Sequence, residues 1–316
     1  MADEPIRIVT EDLRDAIADG EVAPSAVDET DDIPPERVVD PADVAAERPD
    51  GAGRVAHAFA AARAQDRAAL VIYLPAGFPD HDTSRACLAA AAEAGADVLE
   101  VGFPFSDPVM DGPIIQAANQ QVLERGVTVA DHLAMCTVLT DEVDVPALVM
   151  TYVTIADAHG YGRFADELAA AGIAGTILPD LPVDESGPWD DVAAGAGLAS
   201  VLMASSVSSD RRLDAIAGSS TGFIYATGLL GVTGVKSVAR RASEDLVDRL
   251  RTRTDTPIAV GVGVKDAQDA RAVAGFADGV IVGSEVVAVV ADGAPAGAPD
   301  RVAALVAELR RGVEQG

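Results

Sequence analysis

The chain has 316 residues, of which 49% are hydrophobic, enough for one large domain with a sizeable core and an appendage. Its net charge is −28 and its lysines are Lys236 and Lys265 alone, a balance that opposes any phosphate-backbone partner and excludes nucleic acid from the expected ligands. No apolar run reaches the ~18 residues that span a bilayer, and no apolar leader opens the chain, so a cytoplasmic protein without membrane contact is expected.

Cys87 and Cys136 lie in helix-like stretches without metal or disulfide spacing, and are expected as buried reduced thiols with no metal site. His57, His81, His132 and His159 stand singly, and surface or structural places are expected for them. The diffuse acidity fits a halophilic, salt-adapted surface, and the high Ala, Gly and Arg content fits GC-rich coding equally well.

Residues 1–53 hold the densest acidic clusters, VDETDD and PPERVVDPAD, and no aromatic residue. They predict a flexible acidic N-terminal extension with a short helix around TEDLRDAIAD. From Arg54 to residue 316 the chain alternates β-branched apolar runs with Ala-rich amphipathic stretches. The expected strands are ALVIYLPAG, ADVLEVGF, PALVMTY, AGTILPDL, ASVLMASS, GFIYATG, PIAVGVGV and DGVIVGS. Helix-like stretches such as TSRACLAAAAEAG, FADELAAAG, SEDLVDRLRTRT and AQDARAVAG lie between them, several closed by glycine. Continuous apolar strands separated by helices belong to a parallel sheet covered on its faces. Eight such units over roughly 250 residues predict the α/β class and a (β/α)8 TIM barrel, one catalytic domain over 54–316.

In such barrels the chemistry sits at the C-terminal ends of the strands. Glu100 ending strand two, Asp111 in the following loop, Tyr152 ending strand three, Asp180 ending strand four and Tyr225 ending strand six would all face that mouth. A carboxylate in a buried strand is costly unless used or paired, and burial raises its pKa into the range of general acid/base work. Glu100 is therefore expected to move protons, with Asp111 as a second carboxylate in a different environment. For Asp107 and Asp111 a helix-capping role stays open. Two glycine turns, GVGVKD after strand seven and VGSEVV after strand eight, predict a phosphate site of backbone N–H groups at Gly261, Gly263, Gly283 and Ser284. TGLLGVTGVKS after strand six, with Gly228, Gly231, Thr233 and Gly234, reads either as a closing loop or as a long surface loop.

The segments YLPAGFP (73–79), EVGFPFSDPVMDGPIIQ (100–116), PDLPVDE (179–185), GVTG (231–234), GVGV (261–264) and DGVIVGS (278–284), in this order, resemble the alpha subunits of tryptophan synthase. The resemblance runs from about Arg54 to the C-terminus. It implies retro-aldol cleavage of indole-3-glycerol phosphate to indole and glyceraldehyde 3-phosphate. Glu100 would then be the acid/base that protonates indole C3 and takes the glycerol hydroxyl proton. Asp111 would hold indole N1–H and stabilise the charge of the indolenine. The resemblance adds Gly234 and Val262 to the phosphate site and makes Tyr73, Met150, Tyr152, Ile177 and Tyr225 pocket walls. It pairs Thr233 with Asp111 on closure and places exposed Pro104 and Asp107 near a beta subunit.

It also implies an alpha2beta2 complex in which the beta subunit carries pyridoxal phosphate, so that no cofactor is expected in this chain. Val153 and Thr154 depart from the polar pair that often follows the strand-three tyrosine in the family. A barrel that mainly activates its partner, and a different phosphate-binding barrel enzyme, are the competing readings. The latter would want a strand-end lysine, whereas Lys236 and Lys265 are expected in loops.

Overall fold

The computed structural model describes residues 50–227 and 236–316. Most of the expected acidic extension, including the helix anticipated around TEDLRDAIAD, lies outside the described residues, as do Gly228, Gly231, Thr233 and Gly234. The strands are β1 (Ala69–Pro75), β2 (Val98–Gly102), β3 (Ala147–Met150), β4 (Gly175–Ile177), β5 (Ala199–Val201), β6 (Met203–Ser205), β7 (Ile224–Thr227), β8 (Ile258–Gly261) and β9 (Gly279–Val282). The helices are α1 (Gly51–Arg63), α2 (His81–Glu93), α3 (Pro113–Leu123), α4 (Val129–Glu142), α5 (Val153–His159), α6 (Tyr161–Ala170), α7 (Gly187–Gly195), α8 (Asp210–Ser219), α9 (Lys236–Arg251), α10 (Ala267–Ala274), α11 (Ser284–Ala291) and α12 (Ala298–Val313).

All strand pairs are parallel, in the order β5-β4-β3-β2-β1-β9-β8-β7-β6. The two ends of that order, β5 and β6, are consecutive pieces of the expected strand ASVLMASS. They divide at Leu202, whose N–H turns away from the ladder to donate to Ser220 Oγ at 3.1 Å. β5 bonds to β4 and β6 bonds to β7, so one bent strand closes the sheet into the eight-unit barrel that the sequence predicts.

Period-two alternation sorts the side chains. On β1, Leu70, Ile72 and Leu74 pack outward under the helices, while Ala69 and Val71 join an inner cluster with Val98, Leu148, Ile177, Val201, Phe223, Ala259 and Ile281. The base of this cluster is filled by α1. Its Val55, Phe59 and Ala62 are buried among the inward strand residues, and the Phe59 and Phe223 rings lie 5.2 Å apart. Burial of Phe59 and Val55 contributes about 1.5–3 kcal/mol each. Gly51 allows the approach, because a Cβ there would stand 1.8 Å from the Ala174 carbonyl oxygen. The boundary expected at Arg54 falls inside this helix, and the reading of the sequence had anticipated no helix here.

The base is also fixed electrostatically. Asp97, just before β2, accepts two bonds from the Arg67 guanidinium (2.7 and 2.8 Å) and the Leu70 N–H of β1 at 2.8 Å. Asp278, just before β9, repeats the device, accepting the Ile258 N–H of β8 at 2.9 Å and a bond from Arg63 at 3.1 Å. An Ala-Asp pair before an apolar strand therefore pins that strand to its neighbour at both places.

Candidate active site

Inward parity carries further up each strand. Tyr73 shares the face of Ala69 and Val71, and Glu100 shares the face of Val98 in register with Tyr73. Above the inner core these side chains reach a cavity of about 260 Å³ at the C-terminal ends of the strands. Tyr73, Glu100, Asp111, Met150, Tyr225, Gly261, Val262, Gly263, Gly283 and Ser284, all anticipated from the sequence, line it. Met110, Ile115, Met203 and Thr227, which the sequence reading missed, are among its other lining residues.

Glu100 is 1% exposed, and neither carboxylate oxygen has a hydrogen-bond partner among the described residues. Burial pushes its pKa up to about 8, so the group is mostly protonated at neutral pH. Asp111 is half-buried. Burial raises it to about 6, opposed by a bond from Asn119 Nδ2 at 3.1 Å, so it is mostly ionised at the same pH. Tyr73 and Tyr225 are held well above the usual phenol range by burial and then by the two carboxylates, and stay neutral.

The end of the cavity at Gly261, Gly263 and Gly283 is built from backbone. The α11 N-terminus at Gly283 has no side-chain cap, so its first N–H groups are open to a ligand beside Ser284. No arginine or lysine is among the described lining residues. Gly263 takes φ +68°, the left-handed region, with free space around it, whereas Gly261 makes room for Tyr225, whose hydroxyl would be 2.6 Å from a Cβ there. The two glycines of GVGV thus serve different needs, one conformation and the other ring packing.

Several expected placements change. Tyr152 is not a wall. The chain leaves β3 at Met150, and the Tyr152 ring stacks on Phe105 (centroids 5.0 Å apart) while its hydroxyl accepts the Met110 N–H at 2.9 Å, so it buttresses the loop after β2. Burial raises this phenol to about 12. Ile177 is fully buried in the inner core beneath the cavity, and Met203 lines the cavity. Asp180 accepts the Val153 N–H at 2.8 Å, capping α5 at the place where the chain departs from the family pattern.

Neither acid of the loop after β2 caps α3. The cap position is Gly112 with no side-chain bond, and Asp107 instead accepts from Ser106 Oγ at 2.6 Å. Asp107 is exposed, but Pro104 is buried, because it follows directly on Phe103, whose ring packs near His132 and Phe164. Lys236 opens α9 rather than lying in a loop, and Lys265 is exposed in the loop after β8.

The histidines are not all solitary. His81 Nε2 and His132 Nδ1 are 3.1 Å apart, and burial lowers His132 to about 4. His159 meets Glu167 at 2.7 Å. Cys87 and Cys136 are buried and free, and burial raises both thiols to about 12. Among the described residues no helix is long and apolar enough to cross a membrane, and no group of three or more His, Cys, Asp or Glu is placed to hold a metal.

A family model described as tryptophan synthase alpha chain matches residues 59–314. The chain is similar to the tryptophan synthase alpha chains of Streptomyces avermitilis (48% identity over 82% of this chain and 94% of the relative) and Streptomyces coelicolor (49%, 81% and 94%). Among solved structures it is similar to a tryptophan synthase from Mycobacterium tuberculosis, with a TM-score of 0.77, 40% identity, and 83% of this chain and 99% of that one covered. A tryptophan synthase subunit alpha from Legionella pneumophila aligns with a TM-score of 0.75 at 29% identity, over 83% and 99% of the two chains. The chain thus belongs to the tryptophan synthase alpha chain family, lyases of tryptophan biosynthesis that hold no cofactor of their own and work with a beta subunit.

Proposed function

We propose that Glu100 and Asp111 divide the acid/base and electrostatic work of the family's reaction, the retro-aldol cleavage of indole-3-glycerol phosphate to indole and glyceraldehyde 3-phosphate. The observation that carries this reading is the Glu100 carboxyl group, buried on the cavity wall and unpartnered among the described residues, with a second carboxylate lining the same cavity. Glu100, neutral near pH 7, donates its proton to indole C3, and the ring becomes an indolenine with positive charge at N1. Asp111, ionised near pH 7, accepts the N1–H and stabilises that charge. The Glu100 carboxylate then takes the proton of the glycerol hydroxyl. The bond between ring C3 and the side-chain carbon breaks, its electrons return to the ring, and the aldehyde forms. Glu100 ends the cycle protonated, as it began.

The phosphate rests on backbone N–H groups around Gly261, Val262, Gly263, Gly283 and Ser284, and the uncapped α11 N-terminus supports that placement. Tyr73, Met150, Met203 and Tyr225 enclose the indole and glycerol parts. The setting is a cytoplasmic alpha2beta2 complex to which indole passes, with exposed Asp107 on the partner-facing side and an acidic extension ending near the start of α1. An indole-release assay on the purified chain, with and without beta subunit, tests the reading. Glu100→Gln and Asp111→Asn are each expected to lose most indole formation while remaining folded near pH 7, with Glu100→Gln melting no lower than the wild type. Wild-type turnover by both variants would overturn the two-carboxylate mechanism.

A further inference from the structure

Asn119 closes the second turn of α3 and is 3% exposed, between the buried Ala118 and Val122. Asparagine is a poor helix former, and a buried amide with an unmatched atom costs about 1–3 kcal/mol. Asn119 Oδ1 is such an atom, for it has no partner among the described residues, while Nδ2 donates to Asp111 Oδ2 at 3.1 Å.

The backbone of the loop after β2 does not depend on this bond. Gln116 Nε2 donates to the Asp111 carbonyl at 2.9 Å and the Pro108 carbonyl at 3.3 Å. Asp111 N–H closes a turn onto Pro108 O at 3.1 Å, and Met110 N–H is held by the Tyr152 hydroxyl. What those contacts leave undetermined is the direction of the Asp111 carboxylate. Among the described residues, Asn119 is the side chain bonded to it.

We propose that Asn119 is a positioning residue that ties one Asp111 oxygen to α3, so that the other is presented to the substrate nitrogen. The inference rests on the reading of Asp111 as the group that stabilises charge at N1. A donor on one carboxylate oxygen also favours the ionised form, against burial that raises Asp111 to about 6. Among the described residues, the titratable groups facing Asp111 are Glu100 from β2, Tyr73 from β1, Tyr225 from β7 and Tyr152 beyond β3. None of them is a cation that could replace the amide.

The test measures kcat and KM for indole release across pH 5–9 in Asn119→Leu, Asn119→Gln, Asp111→Asn and the Asn119→Leu/Asp111→Asn double variant, each with a melting curve. Asn119→Leu should lower kcat by about 10–100-fold, change KM much less, and move the acidic limb of the kcat profile above pH 6. Asn119→Gln, which keeps the amide, should recover part of kcat and return the limb toward its wild-type position, and Asn119→Ala carries the Asn119→Leu readout should Asn119→Leu fail to fold. In the Asp111→Asn background, Asn119→Leu should cost nothing further, since the charged oxygen that Asn119 positions is already gone. An unmoved limb in Asn119→Leu, or in Asn119→Ala in its place, or a multiplied loss in the double variant, overturns the inference alone. Wild-type turnover by Asp111→Asn overturns the reading of Asp111 and the inference together.

Discussion

Asp97 and Glu100 stand three residues apart, one just before β2 and the other within it, yet the barrel treats them in opposite ways. At the base, Asp97 is enclosed by the Arg67 guanidinium, the Leu70 N–H and, at 3.5 Å, Arg310. At the mouth, Glu100 is more deeply buried and has no partner at all among the described residues. The first arrangement offsets the cost of burying a charge and pins strands together. The second leaves that cost standing, which keeps the acid neutral and available to a ligand. The same residue class therefore marks stability at one end of the strand and chemistry at the other, as the two faces of such barrels divide.

The contrast is sharpest in activity. Glu100→Gln should lower indole release by at least about 10³-fold, in the range a positioned proton donor supplies, whereas Asp97→Asn should leave kcat unchanged in the folded protein. In stability the order reverses. Asp97→Ala strands the Arg67 charge, whose side chain is 3% exposed, and should destabilise the barrel by about 3–5 kcal/mol, read as a lowered denaturant midpoint.

The effect of Glu100 on stability has its own sign. Its folded pKa of about 8 lies above the ordinary 4.5, so the folded protein resists ionisation that the unfolded chain undergoes freely. Stability from this group is fully present below pH 4.5 and is lost as pH rises through 8. Glu100→Gln should therefore melt higher than the wild type at pH 8.5, by a few kcal/mol in free energy at about 1.4 kcal/mol per unit, with the gain vanishing toward pH 4.5. A variant that melts lower at every pH would mean that Glu100 is partnered in solution.

The smallest effect is in the pH profile of the chemical step. Activity should rise as Asp111 ionises near pH 6 and fall as Glu100 ionises near pH 8, giving a maximum near neutrality in single-turnover rates. A profile flat from pH 5 to 9 would remove the assignment of opposite protonation states.

Much of this was legible before any coordinates. The strand runs are continuous and apolar because both faces of a parallel sheet are buried, and that pattern alone yields the barrel. The glycines at 261 and 263 announced exposed backbone in the turn after a strand, and Gly283 announced it at a helix start. Other features left no local mark. The Leu202 bend comes from Ser220, eighteen positions away. The plug formed by α1 rests on a close fit between Gly51 and Ala174, and the His81–His132 pair spans fifty-one positions. Tyr152 and Ile177 were placed one layer wrong because strand ends are hard to locate in sequence, and a shift of one or two residues moves a side chain from cavity to core or to the loop behind it.

By itself the sequence determined the fold class and the inward face of each strand, since alternation and apolar runs are local properties of the chain. It therefore also determined that Glu100 would be buried in the barrel. Tertiary structure decided which buried acid would be satisfied and which left open. Hydrogen-bond partners such as Arg67, Arg310 and Asn119 are brought in by other elements, and no spacing along the chain encodes how close they will come.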